Sequence, residues 1–349
     1  MNSFYPLKVS KIRALTANAV ELKFEIPADL ESKFNFKAGQ YITIKHQIGG
    51  EQVRRAYSIC SSIEEGISVG VKKVETGKMS SFLCNELKEG DNLEVMPPTG
   101  NFVLDSTKKT HIVGICAGSG ITPIFSMIKT ILLNNDNSNF TLIYGNKTID
   151  SSMFAEELKA FQEVNPDRFK IHWAFSQEKM VNTINGRLDK NNIQQLLHTF
   201  PDLKSADAYF LCGPGDLIDQ TNELLLLNQV AQNNIHFERF TTTKKEEETT
   251  KQIKDITANV LVSIDGDDFE FQLSSNGQSI LDAAMDAGAD VPFSCKGAVC
   301  CTCKAKVMEG KAIMDKNFSL SDDEVAQGYI LTCQSHPITE NIVVDYDEM

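Results

Sequence analysis

Cys295-Lys296-Gly297-Ala298-Val299-Cys300-Cys301-Thr302-Cys303, with Cys333 further along, is the stretch on which the reading of this chain turns. Four residues separate Cys295 from Cys300 and two separate Cys300 from Cys303, which is the plant-type spacing for a [2Fe-2S] cluster. A loop of this kind delivers three thiolates from one side, while Cys333 arrives from another segment. Gly297 and Ala298 are small, so backbone amides can approach the sulfurs and tune the cluster. Cys301 does not give the expected spacing on both sides, so Cys295, Cys300, Cys303 and Cys333 are the predicted ligands. A four-cysteine zinc site is the alternative, but zinc ribbons favour two Cys-x-x-Cys pairs and this stretch holds one.

Outward from that loop, the other four of the nine cysteines, Cys60, Cys84, Cys116 and Cys212, stand alone. An odd count with no export signal argues against a disulfide framework and for a reducing compartment, so a cytoplasmic protein is expected. No stretch approaches the ~18 apolar residues of a membrane-spanning helix. The net charge of -13 is concentrated, because residues 253–349 hold 17 Asp and Glu against 6 Lys, a net of -11. Such a face disfavours nucleic acid, and it suits either plain solvation or docking of a basic partner protein.

At 349 residues the chain is too long for one ordinary domain, and three are predicted. Residues 1–105 alternate in short segments such as Tyr41-Ile42-Thr43-Ile44, broken by Gly, Pro and Asn, which predicts an antiparallel β-barrel with one short helix, Ser80 to Leu87. In residues 106–240 apolar strands, among them His111 to Cys116 and Ala208 to Cys212, alternate with helical patterns near 123–133, 151–164, 189–199 and 215–231. That is the pattern of an α/β domain with a parallel sheet, here ending on a strand from Ile235 to Phe240. Residues 241–252 have almost no apolar content and predict a linker. Residues 253–349 then read as a hairpin over 256–273, a helix from Ile280 to Ala287 and the cysteine loop, an α+β domain.

Two further constellations carry chemistry. Arg55-Ala56-Tyr57-Ser58, with Gly77-Lys78-Met79-Ser80 opening a short helix, suits FAD. The arginine can hold a diphosphate, the tyrosine can stack on the ring, and the helix start at Ser80 offers free amides to phosphate. Val71 and Lys73 are counted with this group. Ala117-Gly118-Ser119-Gly120-Ile121-Thr122-Pro123 follows a strand and opens a helix, with Thr122 as the expected cap. Its glycines let a nucleotide diphosphate approach the backbone, although this is not the G-x-G-x-x-G fingerprint of dinucleotide-binding dehydrogenases. Gly118, Ser119, Gly120, Thr122 and Pro123 are therefore predicted to bind a nicotinamide nucleotide, as are Gly213 and Pro214 after Cys212. Lys147 and Arg187 are candidate partners for a 2'-phosphate, which favours NADPH and leaves NADH possible. Tyr57, Ser58, Cys212 and Glu238 are the candidate catalytic residues, and Phe240 could also lie over the flavin.

With these residues together, the chain resembles the ferredoxin-NADP reductase superfamily fused to a C-terminal plant-type ferredoxin of β-grasp fold. Arg55 to Cys60, Tyr144-Gly145-Asn146-Lys147, Cys295 to Lys304 and Gly328 to Gln334 look most like the reductase subunits of phenylacetyl-CoA epoxidases. The resemblance implies FAD on the barrel, the nicotinamide nucleotide on the α/β domain, and the cluster as exit for single electrons. It implies a di-iron oxygenase partner on another chain, because no Glu-x-x-His occurs here. Similar reductases serve ring-hydroxylating dioxygenases, desaturases or free ferredoxin. A non-enzymatic redox-sensing protein would show the same cysteines without diaphorase activity.

Overall fold

A computed structural model describes residues 3–105, 110–134, 138–240 and 255–348, so the predicted linker 241–252 lies outside the described residues. Two compact units emerge, one spanning Phe4–Phe240 and the other the C-terminal remainder.

The first unit begins with six strands, β1 (Tyr5–Thr16), β2 (Ala19–Glu25), β3 (Tyr41–Ile48), β4 (Glu51–Ser58), β5 (Ser68–Lys72) and β6 (Asn92–Thr99). They form an antiparallel curled sheet in the order β4-β3-β6-β1-β2-β5. A single bridge between Ile59 and Val69 joins its two edges into a barrel. Leu7, Val9, Leu22, Ile42, Ile44, Val69 and Val71 fill the interior from alternate strand positions. Helix α1 (Lys78–Asn85) plugs one side with Met79 and Leu83. It starts two residues before the predicted Ser80, because Gly77 takes the N-cap position.

The second half of this unit alternates β7 (His111–Ala117), α2 (Ile121–Leu133), β8 (Asn139–Asn146), α3 (Ala155–Val164), β9 (Phe169–Phe175), β10 (Ile184–Asn185), α4 (Lys190–Thr199), β11 (Ala208–Gly213), α5 (Gly215–Leu227) and β12 (Ile235–Arg239). The six strands are parallel in the order β10-β9-β8-β7-β11-β12. The strand order reverses at β7, and it is outside the carboxyl ends of the strands at such a reversal that open α/β sheets bind ligands. The predicted helix 215–231 stops at Leu227 and the last strand at Arg239, one residue short of Phe240. One apolar cluster runs from the α2 side of this sheet to Ala19, Ala38, Cys60, Phe102 and Leu104 of the barrel region, so the two halves share a core.

The C-terminal unit holds β13 (Thr257–Ile264), β14 (Asp267–Ser274), α6 (Ile280–Asp286), β15 (Lys304–Glu309), β16 (Ala312–Met314), α7 (Asp322–Ala326), β17 (Tyr329–Leu331), β18 (Ser335–Pro337) and β19 (Asn341–Asp345). Its mixed five-stranded sheet, in the order β14-β13-β19-β15-β17, grasps α6 through Ile280, Leu281, Ala283 and Ala284. The Ser279 hydroxyl caps α6 by accepting the Asp282 amide.

Candidate functional site

On β4 burial deepens along the predicted flavin residues from Arg55 to Ser58. Ser58 is buried, Ala56 and Tyr57 are half-buried, and Arg55 is exposed with Nη1 donating to Arg54 O at 2.7 Å. Burial pushes the Tyr57 phenol well above its ordinary range, so the ring enters any stack as a neutral phenol. Val71 and Met79 lie inside the barrel core, which leaves only their backbone for a ligand. The Ser80 hydroxyl is engaged internally, accepting Val74 N–H at 3.1 Å and donating to Gly77 O at 3.3 Å. What α1 offers phosphate is therefore the amides of its first turn, which have no partner within the helix. A Cβ on Gly77 would sit 2.5 Å from Ser80 Oγ, so the turn is built for glycine. Lys73 reaches Asn85 Oδ1 at 3.5 Å, and Lys78 reaches Glu51 Oε2 at 2.5 Å.

The glycine turn sits at the strand-order reversal. Gly118 has φ +58°, and Gly213, at the end of β11, has φ +147°. A Cβ on Gly120 would lie 2.2 Å from Cys212 O, so the β7 turn and the end of β11 touch backbone to backbone. Gly120 itself takes the cap position of α2; the expected cap, Thr122, lies inside the helix and donates to Ser119 O at 3.0 Å. Tyr144 donates to Gly118 O at 3.0 Å and so steadies the turn from β8. Pro123 is in the first turn of α2 and Pro214 precedes α5.

Lys72, the neighbour of the predicted Lys73, was passed over in the sequence. Its Nζ lies 3.9 Å from where a Cβ on Gly118 would sit. Burial, and then the charge of Lys147, lower its pKa. Lys72 of the barrel thus stands beside the glycine turn within reach of the charge of Lys147, which follows β8, and this repulsion between like charges suits a bridging anion. The alternation of β5 held the signal, since Val71 points inward and Lys72 outward. Arg187 instead pairs with Asp216, at 2.8 and 3.0 Å to its two carboxylate oxygens.

Ser58 Oγ donates to Glu238 Oε2 at 3.2 Å, joining residues 180 positions apart. Cys212 pairs in register with Glu238 on one side and Cys116 on the other. Burial raises the Glu238 carboxyl to about 8, against the opposing Ser58 hydrogen bond. Burial likewise raises the wholly enclosed Cys212 thiol, so it presents a neutral wall. Tyr57 and Phe240 flank this group in sequence, and Phe240 is partly exposed just beyond β12.

In the C-terminal unit the four predicted ligands form two sulfur pairs. Cys300 Sγ donates to Cys295 Sγ at 3.1 Å, and Cys303 is hydrogen-bonded to Cys333. Positive φ at Lys296 (49°) and Ala298 (62°) turns the loop so that its amides point at sulfur. The amides of Gly297, Val299 and Cys300 reach Cys295, and that of Ala298 reaches Cys333. The contact with Cys300 and these amides draw the Cys295 thiol down to about 6. Among the described residues no three His, Cys, Asp or Glu side chains are placed to hold a single metal ion. Two sulfur pairs ringed by amide donors fit a two-iron cluster, with a pair for each iron. Cys301 Sγ points elsewhere, to Ser319 O at 3.2 Å.

Comparison with known proteins accords with this geometry. Residues 6–104 match the family of oxidoreductase FAD-binding domains, 115–223 the oxidoreductase NAD-binding domain, and 262–337 the 2Fe-2S iron-sulfur cluster binding domain. One of the subunits of 1,2-phenylacetyl-CoA epoxidase from Escherichia coli (strain K12) is 39% identical over 99% of each chain. The chain belongs to the reductase components of ferredoxin-NADP reductase type that carry a fused [2Fe-2S] domain. This reductase is also 30% identical to the ferredoxin reductase component of 3-ketosteroid-9-alpha-monooxygenase from Rhodococcus rhodochrous, over 97% of this chain and 96% of the relative. Phthalate dioxygenase reductase, a modular structure for electron transfer from pyridine nucleotides to [2Fe-2S], superposes with a TM-score of 0.61 at 25% identity, covering 98% of each chain. The protein is thus an NAD(P)H-dependent oxidoreductase with FAD, nicotinamide-nucleotide and [2Fe-2S] domains. Among the described residues no helix is long and apolar enough to cross a membrane.

Proposed function

We propose that this reductase passes electrons from NADPH to the oxygenase of a phenylacetyl-CoA epoxidase. The single observation that carries the proposal is the 39% identity, over 99% of both chains, to a component of that enzyme. FAD, when bound, supplies the conversion of a two-electron hydride into the single electrons that an iron-sulfur cluster takes up. Arg55 and the first-turn amides of α1 hold the flavin diphosphate, and Tyr57 covers the ring. The glycine turn at Gly118–Gly120 receives the nucleotide, and Lys72 and Lys147 attract its phosphates. Arg187 would exchange its exposed pair with Asp216 for a 2'-phosphate. With its carboxyl near 8, Glu238 holds a proton at neutral pH and can exchange it through the Ser58 hydroxyl. Cys212 keeps water from the same corner. Cys295, Cys300, Cys303 and Cys333 hold the cluster, whose domain carries most of the acidic charge and so suits a basic docking face on the oxygenase. None of the nine cysteines forms a disulfide, which accords with a reducing cytoplasm, where we place the protein.

Two measurements test this reading. Anaerobic titration with NADPH and then NADH should bleach the flavin and the cluster bands in turn, with NADPH the more effective. Mixing the reduced protein with the oxygenase components, phenylacetyl-CoA and dioxygen should then yield epoxide and water at a rate that falls with salt. Reduction without product formation would assign the chain to another acceptor.

A further inference from the structure

Helix α2 is buried on every face from Ile121 to Leu132, whereas a helix covering one side of a sheet normally keeps a polar outer stripe. The cause is the barrel behind it. Gly39 and Gly70 of the barrel half approach so closely that a Cβ would lie 2.6 Å from Met127 Cε and from Thr122 Cγ2 respectively. Two polar contacts cross this interface to the turn that follows β4. Ser126 Oγ donates to Ser61 O at 2.6 Å. Lys129, only 9% exposed, places Nζ 3.0 and 2.9 Å from the two oxygens of Glu65. The Glu65 carboxylate also accepts Ser62 N–H at 2.8 Å, so it is held from its own side. Burial raises the Glu65 pKa, but Lys129 and Ser62 outweigh that effect and keep it ionised.

These contacts join the two ends of the reaction. Strand β4 carries Arg55 to Ser58 and runs directly into the Ser61–Glu65 turn. Helix α2 begins directly after Gly118–Gly120, and Ser126 and Lys129 lie on its second and third turns. We propose that Ser126 and Lys129, with Ser61 and Glu65, are positioning residues that set the distance and angle between nicotinamide and flavin for hydride transfer. The proposal rests on the placement of the flavin and nucleotide sites given above. None of the four residues belongs to either site, and their effect is through the backbone that each site is built on. Hydride transfer is steep in distance, and a misplacement of about 1 Å can cost about a hundredfold in rate. Lys129 and Glu65 also line a polar cavity of about 240 Å³. Water can therefore solvate Glu65 once Lys129 is replaced, which favours a folded variant.

The test compares holoenzyme carrying Lys129→Met, Lys129→Arg or Ser126→Ala with the wild type, by anaerobic stopped-flow reduction with NADPH and NADH. In Lys129→Met, flavin bleaching at saturating nucleotide slows about tenfold or more while the half-saturating concentration stays constant. The long-wavelength charge-transfer absorbance between flavin and nicotinamide weakens in the same variant. Lys129→Arg restores both readouts, and Ser126→Ala shows a smaller slowing of the same kind. A folded, FAD-loaded Lys129→Met with wild-type bleaching and charge-transfer absorbance overturns the positioning role. If Lys129→Met loses FAD, Ser126→Ala decides by the same two readouts. A wild type that neither nucleotide reduces overturns the site placement instead.

Discussion

Glu238 is the residue whose ionisation the fold alters in the way most open to measurement. The carboxyl titrates near 4.5 when exposed and near 8 in the folded chain. Between those values the folded state holds one more proton than the unfolded state. The stability linked to this group is therefore full below about pH 4.5 and is lost progressively until about pH 8. Glu238→Gln removes that dependence. Urea unfolding at pH 5 and pH 8.5 should show the variant gaining on the wild type by up to a few kcal/mol (~1.4 per pH unit) at the higher pH. The same advantage at both pH values would contradict the assignment. A second residue-scale expectation concerns the thiols. Cys295→Ser should abolish the cluster's visible absorbance and leave flavin bleaching by NADPH intact. Cys301→Ser should keep the cluster, since its sulfur donates to Ser319 O and lies outside the predicted ligand spacing.

At the scale of elements, the turn after β7 has no room for a methyl group. Gly120→Ala puts its Cβ 2.2 Å from a backbone oxygen of β11, which no side-chain rotation can relieve. We expect a loss of about 1–3 kcal/mol, read as a lower Tm, with weakened nucleotide binding in an absorbance titration. Periodicity marked every strand of the parallel sheet except the two-residue β10, and the cysteine spacing singled out four sulfurs that do fall into pairs. Element ends were less legible. A helix start at Ser80 and a cap at Thr122 were expected, but Gly77 and Gly120 take the cap positions, Gly77 in a turn crowded by its own Val74 and Ser80 and Gly120 against Cys212 O, a neighbour that only the fold brings near. Lys72 was obscured for the same reason. The alternation of β5 turns Lys72 outward, but its approach to the glycine turn joins segments far apart in the chain, and the alternation does not say what it meets there. The pairing of β16 with β18 was likewise hidden, as three-residue strands carry no period.

For the whole molecule, the two compact units predict divisible chemistry. A chain ending at Phe240 should fold, bind FAD and reduce ferricyanide with NADPH, yet show no cluster absorbance and support no epoxide formation. Failure of that truncated chain to bind FAD would mean that the C-terminal unit takes part in the barrel's stability. The comparisons bear out the reading of a flavin, nucleotide and [2Fe-2S] reductase, which the sequence carried in motifs. The shared core was not visible in those motifs, because α2 reads as an ordinary apolar helix whichever layer covers it. Its complete burial bears on how such enzymes can be recombined. A chimera joined near residue 105 would graft one protein's helix against another's barrel and mismatch their packing on both sides. A chimera joined after residue 240 keeps that interface intact, so shuffling among relatives should tolerate exchange of the iron-sulfur module and reject exchange of the nucleotide module alone.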